Sequence, residues 1–132
     1  MTPRHPPALE ALYGEAVDIA DRARGWFDGP GVAWRQALSI ADQARVSVES
    51  LATTARLMAV MSWLLDPAHA VAGAIPGRLV LSGHVDDDLP GDSPLVGVPG
   101  GDIALASRQL VARARALSAP PGSENAGHGL WR

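Results

Sequence analysis

The stretch ESLATTARLMAVMSWLL, residues 49–65, decides how this chain folds. It contains no glycine or proline, and from Leu57 to Leu65 its only polar residue is Ser62. A membrane-spanning helix needs roughly 20 apolar residues in a row. This run has about half of that, and Glu49 and Arg56 stand on its N-terminal side. It is too short to span a bilayer, and the reading that follows is a cytoplasmic protein with a helix apolar on two sides.

Projected at about 100° per residue, the segment separates into two apolar arcs. Ile40, Ala44, Val48, Leu51, Ala55, Met58 and Leu65 fall on one, which the pattern assigns to the core. Val46, Leu57, Val60 and Leu64 fall on the other. Arg45, Glu49, Arg56 and Trp63 fill the sector between them. A helix with one apolar stripe needs one neighbour, whereas two stripes need neighbours on both sides. Core beneath the other helices accounts for part of the second arc, and a homodimer or partner face accounts for the rest.

Working outward, the chain organises as one all-α domain. Residues 8–28 carry Leu9, Leu12, Tyr13, Ala16, Ala20, Ala23 and Phe27 in steps of three and four, the period of an amphipathic helix. The FDGPG motif at 27–31 ends that helix, because glycine accepts left-handed dihedrals and proline cannot continue the ladder. The second helix is expected over 33–73, with a kink where Pro67 removes a backbone donor. A glycine- and proline-rich loop follows at 74–101, and a third helix at 102–118 is capped by Asp102. The resulting expectation is a three-helix bundle, 8–118, between a disordered lead-in (1–7) and a flexible tail (119–132).

Composition narrows the function. The 132 residues carry a formal charge of −3, which argues against general phosphate neutralisation on nucleic acid. There is no cysteine, so disulfides, thiolate metal sites and thiol chemistry are excluded. No glutamate of the first two helices is followed by histidine three residues later, as a di-iron bundle requires. His84 with Asp86, Asp87 and Asp88 forms an acidic cluster that reads as a solvated turn. Ser50, Thr53 and Thr54 have no histidine within helical reach, so they read as small residues permitting close packing. Neither GHVDDDLPG nor GVPGGD is followed by the Gly-Lys-Ser/Thr of a phosphate loop. By elimination the chain reads as a non-enzyme, with no catalytic, cofactor or metal site.

The candidate partner-binding or dimer residues are Val46, Glu49, Arg56, Leu57, Val60, Trp63 and Leu64, together with Trp131 in the tail. Glu49 and Arg56 lie two turns apart on one polar strip, read as a solvated or interhelical charge pair. Trp63 borders that strip, and tryptophan is enriched in binding hot spots. The alternative function rests on Arg108, Arg113 and Arg115 of the third helix, a basic face suited to DNA.

Three segments in order, EAVDIADRARGWFDGPG (15–31), ESLATTARLMAVMSWLL (49–65) and AVAGAI (70–75), resemble the alphaproteobacterial DUF1465 family, that of the regulator of CtrA degradation. Glu49, Ser50, Thr54, Arg56, Leu57, Met58, Trp63, Leu64 and Leu65 stand where the family's second helix has the same residues. The resemblance implies a dimeric three-helix bundle with a functional C-terminal tail and no catalysis. It further implies an adaptor for the ClpXP protease, working with a response-regulator-like priming factor to deliver cell-cycle regulators, and recruitment to a cell pole. Tethering of this kind acts by raising the effective concentration of substrate beside the protease.

Overall fold

The computed structural model describes residues 7–67, 77, 79–81 and 88–118. Helix α1 spans Pro7–Phe27, α2 Pro30–Gln36, α3 Ile40–Leu64 and α4 Pro99–Leu117, with no strand among the described residues. The all-α expectation therefore holds, and α1, α3 and α4 pack on one another pairwise while α2 rests on α1 and α3.

The helix expected over 33–73 is divided and shorter. A break at Ala37–Ser39 separates α2 from α3. Ser39 causes it: its hydroxyl accepts from the Asp42 backbone N–H at 3.1 Å, a side-chain cap with an acid in the first turn. The Gln43 side chain closes the other side of the break by donating to the Leu38 carbonyl at 3.0 Å. At the far end α3 stops at Leu64, with Leu65 as its cap, so helix does not run on through Pro67. Residues 68–73 of the expected continuation lie outside the described residues. The last helix starts three residues earlier than Asp102, with Pro99 in its first turn, where a missing N–H costs nothing.

Helix direction explains the long connection. Trp26 lies against Gly100, and Arg113 pairs with Glu15 at 2.6 Å, so α1 and α4 are antiparallel. Leu9 and Tyr13 lie beside Leu64 and Leu65, while Phe27 lies near Ser50, so α1 and α3 are antiparallel too. Helices α3 and α4 must then run parallel, and the segment from Leu65 to Val98 has to return the chain over the length of a helix, about 30 Å. It also contributes to the core. Leu79 and Leu95 are buried with residues of α1, α3 and α4, which the expectation of a mere loop overlooked.

The glycine pair of VPGGD is a packing device. A Cβ on Gly100 would strike the Trp26 ring and Leu95, and one on Gly101 would strike the Leu95 carbonyl oxygen. Trp26 meets Trp34 at 5.3 Å and Phe27 at 5.0 Å between ring centroids, so the start of α4 seats against an aromatic corner. The obstacle at Gly101 is backbone, which cannot rotate away. Gly101→Ala is expected to lower stability by about 1–3 kcal/mol, read as a fall in the urea midpoint at unchanged slope.

Candidate interaction surface

The inward side of α3 is not the one that periodicity favoured. Val46, Leu57, Val60 and Leu64 are buried, as are Thr53, Arg56 and Trp63. Val48, Leu51, Met58 and Leu65, expected in the core, are 67%, 72%, 63% and 58% exposed, and Ile40 is more exposed still. Ala44 is exposed and Ala55 half-buried. The two arcs have changed places. Val46, Leu57, Val60 and Leu64 are consumed by this chain's own core, so they present no face to a second molecule.

The reversal has an electrostatic cause. Arg56 is 1% exposed, and its Nη1 donates to Glu49 Oε1 at 3.1 Å, to Ser107 Oγ at 3.1 Å and to Thr53 Oγ1 at 3.4 Å. Arg108 of α4 reaches the same Glu49 carboxylate, 2.7 Å from Oε1 and 3.1 Å from Oε2. Ser107 in turn donates to the Ala104 carbonyl at 2.7 Å. One carboxylate thus holds two guanidiniums across the α3–α4 contact, and of the two readings of this strip, solvated or interhelical, the interhelical one holds. Trp63 joins the same side, its indole N–H donating to the Gly77 carbonyl.

What remains outside is a face without charge. From Ser50 to Leu65 the sole charged residue is Arg56, and it is buried. The exposed stripe is flanked by a groove of about 290 Å³ against α1, floored by Phe27, Leu57 and Met61, with Met58 on its edge. On the other flank a second groove of about 310 Å³ runs between Ala44 and Val48 of α3 and Leu89 and Pro90. Tyr13 and Val17 extend the exposed apolar surface onto α1.

The basic face of α4 is largely committed. Arg108 is held by Glu49, Arg113 by Glu15, and Arg115 is half-buried. Two arginines already neutralised by carboxylates contribute little to binding phosphates. Among the described residues no group of three or more His, Asp or Glu is placed to hold a metal ion. His84, Asp86, Asp87 and Trp131 lie outside the described residues. No helix among the described residues is long and apolar enough to cross a membrane.

Glu49→Ala would leave Arg56 and Arg108 buried with like charge and without their shared carboxylate. The expected cost is about 3–5 kcal/mol, measured by urea denaturation. The double variant Glu49→Ala with Arg56→Met should recover a substantial part of that loss, because a buried cation is removed with its partner.

Comparison with known proteins assigns the sequence to a family. Neither the curated proteins nor the solved structures provide a match. The model of a family described as protein of unknown function (DUF1465) matches residues 3–79, which contain α1, α2 and α3 with both of its faces. The match covers more than half of the 132 residues, and the chain belongs to the DUF1465 family.

Proposed function

We propose that this protein is a non-enzymatic protein–protein interaction module that forms a homodimer and serves as an adaptor in regulated proteolysis. The observation that carries the reading is the uncharged outer face of α3, where Val48, Leu51, Met58 and Leu65 are mostly exposed. A contiguous apolar surface of this kind on a small domain marks an interaction site. It lies opposite the buried Glu49–Arg56–Arg108 network, so it is available without disturbing the fold. The resemblance that extends through Glu49–Leu65 supports the more specific role: a bundle that carries cell-cycle regulators to ClpXP, primed by a response-regulator-like factor, in the cytoplasm and at a cell pole. In that role the three-helix core of α1, α3 and α4 is a scaffold, and the tail beyond Ser118 contributes to recruitment.

Two measurements test this. The wild-type chain is expected to be a dimer by light scattering at micromolar concentration. Leu51→Glu should weaken association by at least about 100-fold, roughly 3 kcal/mol, while the helical circular dichroism stays unchanged. For the adaptor role, affinity capture from the native lysate with and without residues 119–132 should recover ClpX or the priming factor. Recovery of DNA alone would set the role aside.

A further inference from the structure

At the end of the bundle where α3 stops, a small apolar cleft lies open between α1 and α3. It encloses about 170 Å³ and is lined by Leu9, Tyr13, Leu64 and Leu65, with Glu10 beside them. Leu9 and Leu64 are buried, whereas Tyr13 is 40% and Leu65 58% exposed. We infer that this cleft receives the chain's own Leu130 and Trp131, folded back in cis from the end of α4, with Arg132 beside Glu10. The inference needs neither the homodimer nor the adaptor role.

Chain direction sets the starting point. Arg113 of α4 pairs with Glu15 of α1, and the two helices run antiparallel. Ser118 lies five residues beyond Arg113 and Glu10 five residues before Glu15, so the end of α4 comes level with Glu10. Helix α3 ends on the same level, because Leu64 lines the cleft together with Leu9. The distance left to cross is about the width of one helix, roughly 10 Å. Residues 119–132 lie outside the described residues, and twelve of them, 119–130, lead from Ser118 to Leu130. A linker of that length spans about 20 Å root-mean-square even with no structure of its own. Tethering over such a distance gives an effective concentration of about millimolar, so modest contacts suffice to hold the segment. The two larger grooves lie toward the opposite end of the bundle, one floored by Phe27 and the other bordered by Ala44 and Val48.

Composition names the anchor. The eleven residues APPGSENAGHG, 119–129, carry no leucine, isoleucine, valine, methionine, phenylalanine, tyrosine or tryptophan, and Leu130 and Trp131 then follow side by side. That is the pattern of a spacer ending in a single apolar anchor. Tryptophan suits a half-open cleft, because its ring can be covered while its N–H stays in water, and Tyr13 offers a ring to pack against. Charge agrees with this placement. Glu10 is exposed and makes no ion pair with another described residue, and Arg132 adjoins Trp131 in sequence. The docked segment covers Leu65, so a partner that uses this end of α3 has to displace it first.

The absence of cysteine makes the test direct. In the full chain Gly129→Cys carries a nitroxide, and isotope-labelled leucine methyls are followed by nuclear magnetic resonance. Leu9, Leu64 and Leu65 are expected to lose most of their intensity, while Leu38 and Leu95 at the other end of the bundle keep theirs. No selective loss, or a loss centred on another groove, overturns the inference. A second sample mixes isotope-labelled chain bearing no nitroxide with an excess of nitroxide-bearing chain bearing no isotope. Its Leu9 and Leu64 methyls are expected to stay sharp; losses as deep as in the first sample mean docking between copies and overturn the inference. In the nitroxide-bearing chain Leu65→Glu, checked for wild-type helical circular dichroism, should restore the Leu9 and Leu64 signals. Losses that persist in that folded variant place the anchor elsewhere and overturn the inference. The homodimer and adaptor readings stand or fall by their own measurements.

Discussion

The Glu49 carboxylate, bonded to Arg56 within its own helix and to Arg108 from α4, is the interaction on which the arrangement depends. A nearly fully buried guanidinium has very few acceptable positions, because its donors must meet acceptors in a fixed planar geometry. Arg56 finds them only when α3 is rotated with Glu49, Thr53 and Arg56 toward α4 and when Ser107 stands opposite. That requirement sets the rotation of α3 and the axial register of α4 at once. A purely apolar seam would tolerate sliding and rotation far more readily. The network's contribution is orientation, since a buried ion pair gains little net stability over a well-packed apolar pair of similar volume.

Once α3 and α4 are held side by side and parallel, the remainder of the architecture is constrained. Parallel neighbours cannot be joined by a tight turn, so the chain between Leu65 and Val98 must travel back along the bundle. That segment is rich in glycine and proline, yet it also places Leu79 and Leu95 in the core. Leu95 then sits where α4 begins, and only residues without a Cβ fit between it and Trp26. Gly100 and Gly101 are therefore part of the same solution as the long connection. Gly100 abuts the Trp26 ring and the Leu95 side chain and Gly101 the Leu95 backbone, so neither faces open space.

Much of the fold was legible from spacing. Leu9, Leu12, Ala16 and Phe27 fall inside as their period implies, and so do Ile103, Leu110 and Ala114. The ends of α1 follow from Pro7 and the Gly-Pro-Gly turn. The break at Ser39 was also written in the chain, since Ser39 and Asp42 have the spacing of a helix cap, but the longer apolar pattern obscured it. The rotation of α3 was not legible. Both of its arcs are apolar, so periodicity is silent about which faces inward. The usual tie-breaker, that charge seeks solvent, gives the wrong sign when a charge has partners on a helix distant in sequence. Nothing local to Arg56 announces Ser107 or Arg108. Hence spacing divides Val46, Leu57, Val60 and Leu64 between core and a partner face, whereas all four are buried and the exposed face belongs to Val48, Leu51 and Met58.

This exchange of faces changes what the surface can do. A partner site built on the Val46–Leu64 arc would have competed with the core, and binding would have required opening the bundle. The outer arc proposed for recognition is separated from the buried network by the thickness of a helix. The charged residues that would ordinarily keep a surface helix soluble have been withdrawn inward, where they orient α3 against α4. The outside is left uncharged, without the cost of stripping water from ions on contact. In the proposed association, selectivity would rest on shape along the stripe. If the proposed association uses that stripe, substitutions on it alter association while the buried network continues to hold the bundle.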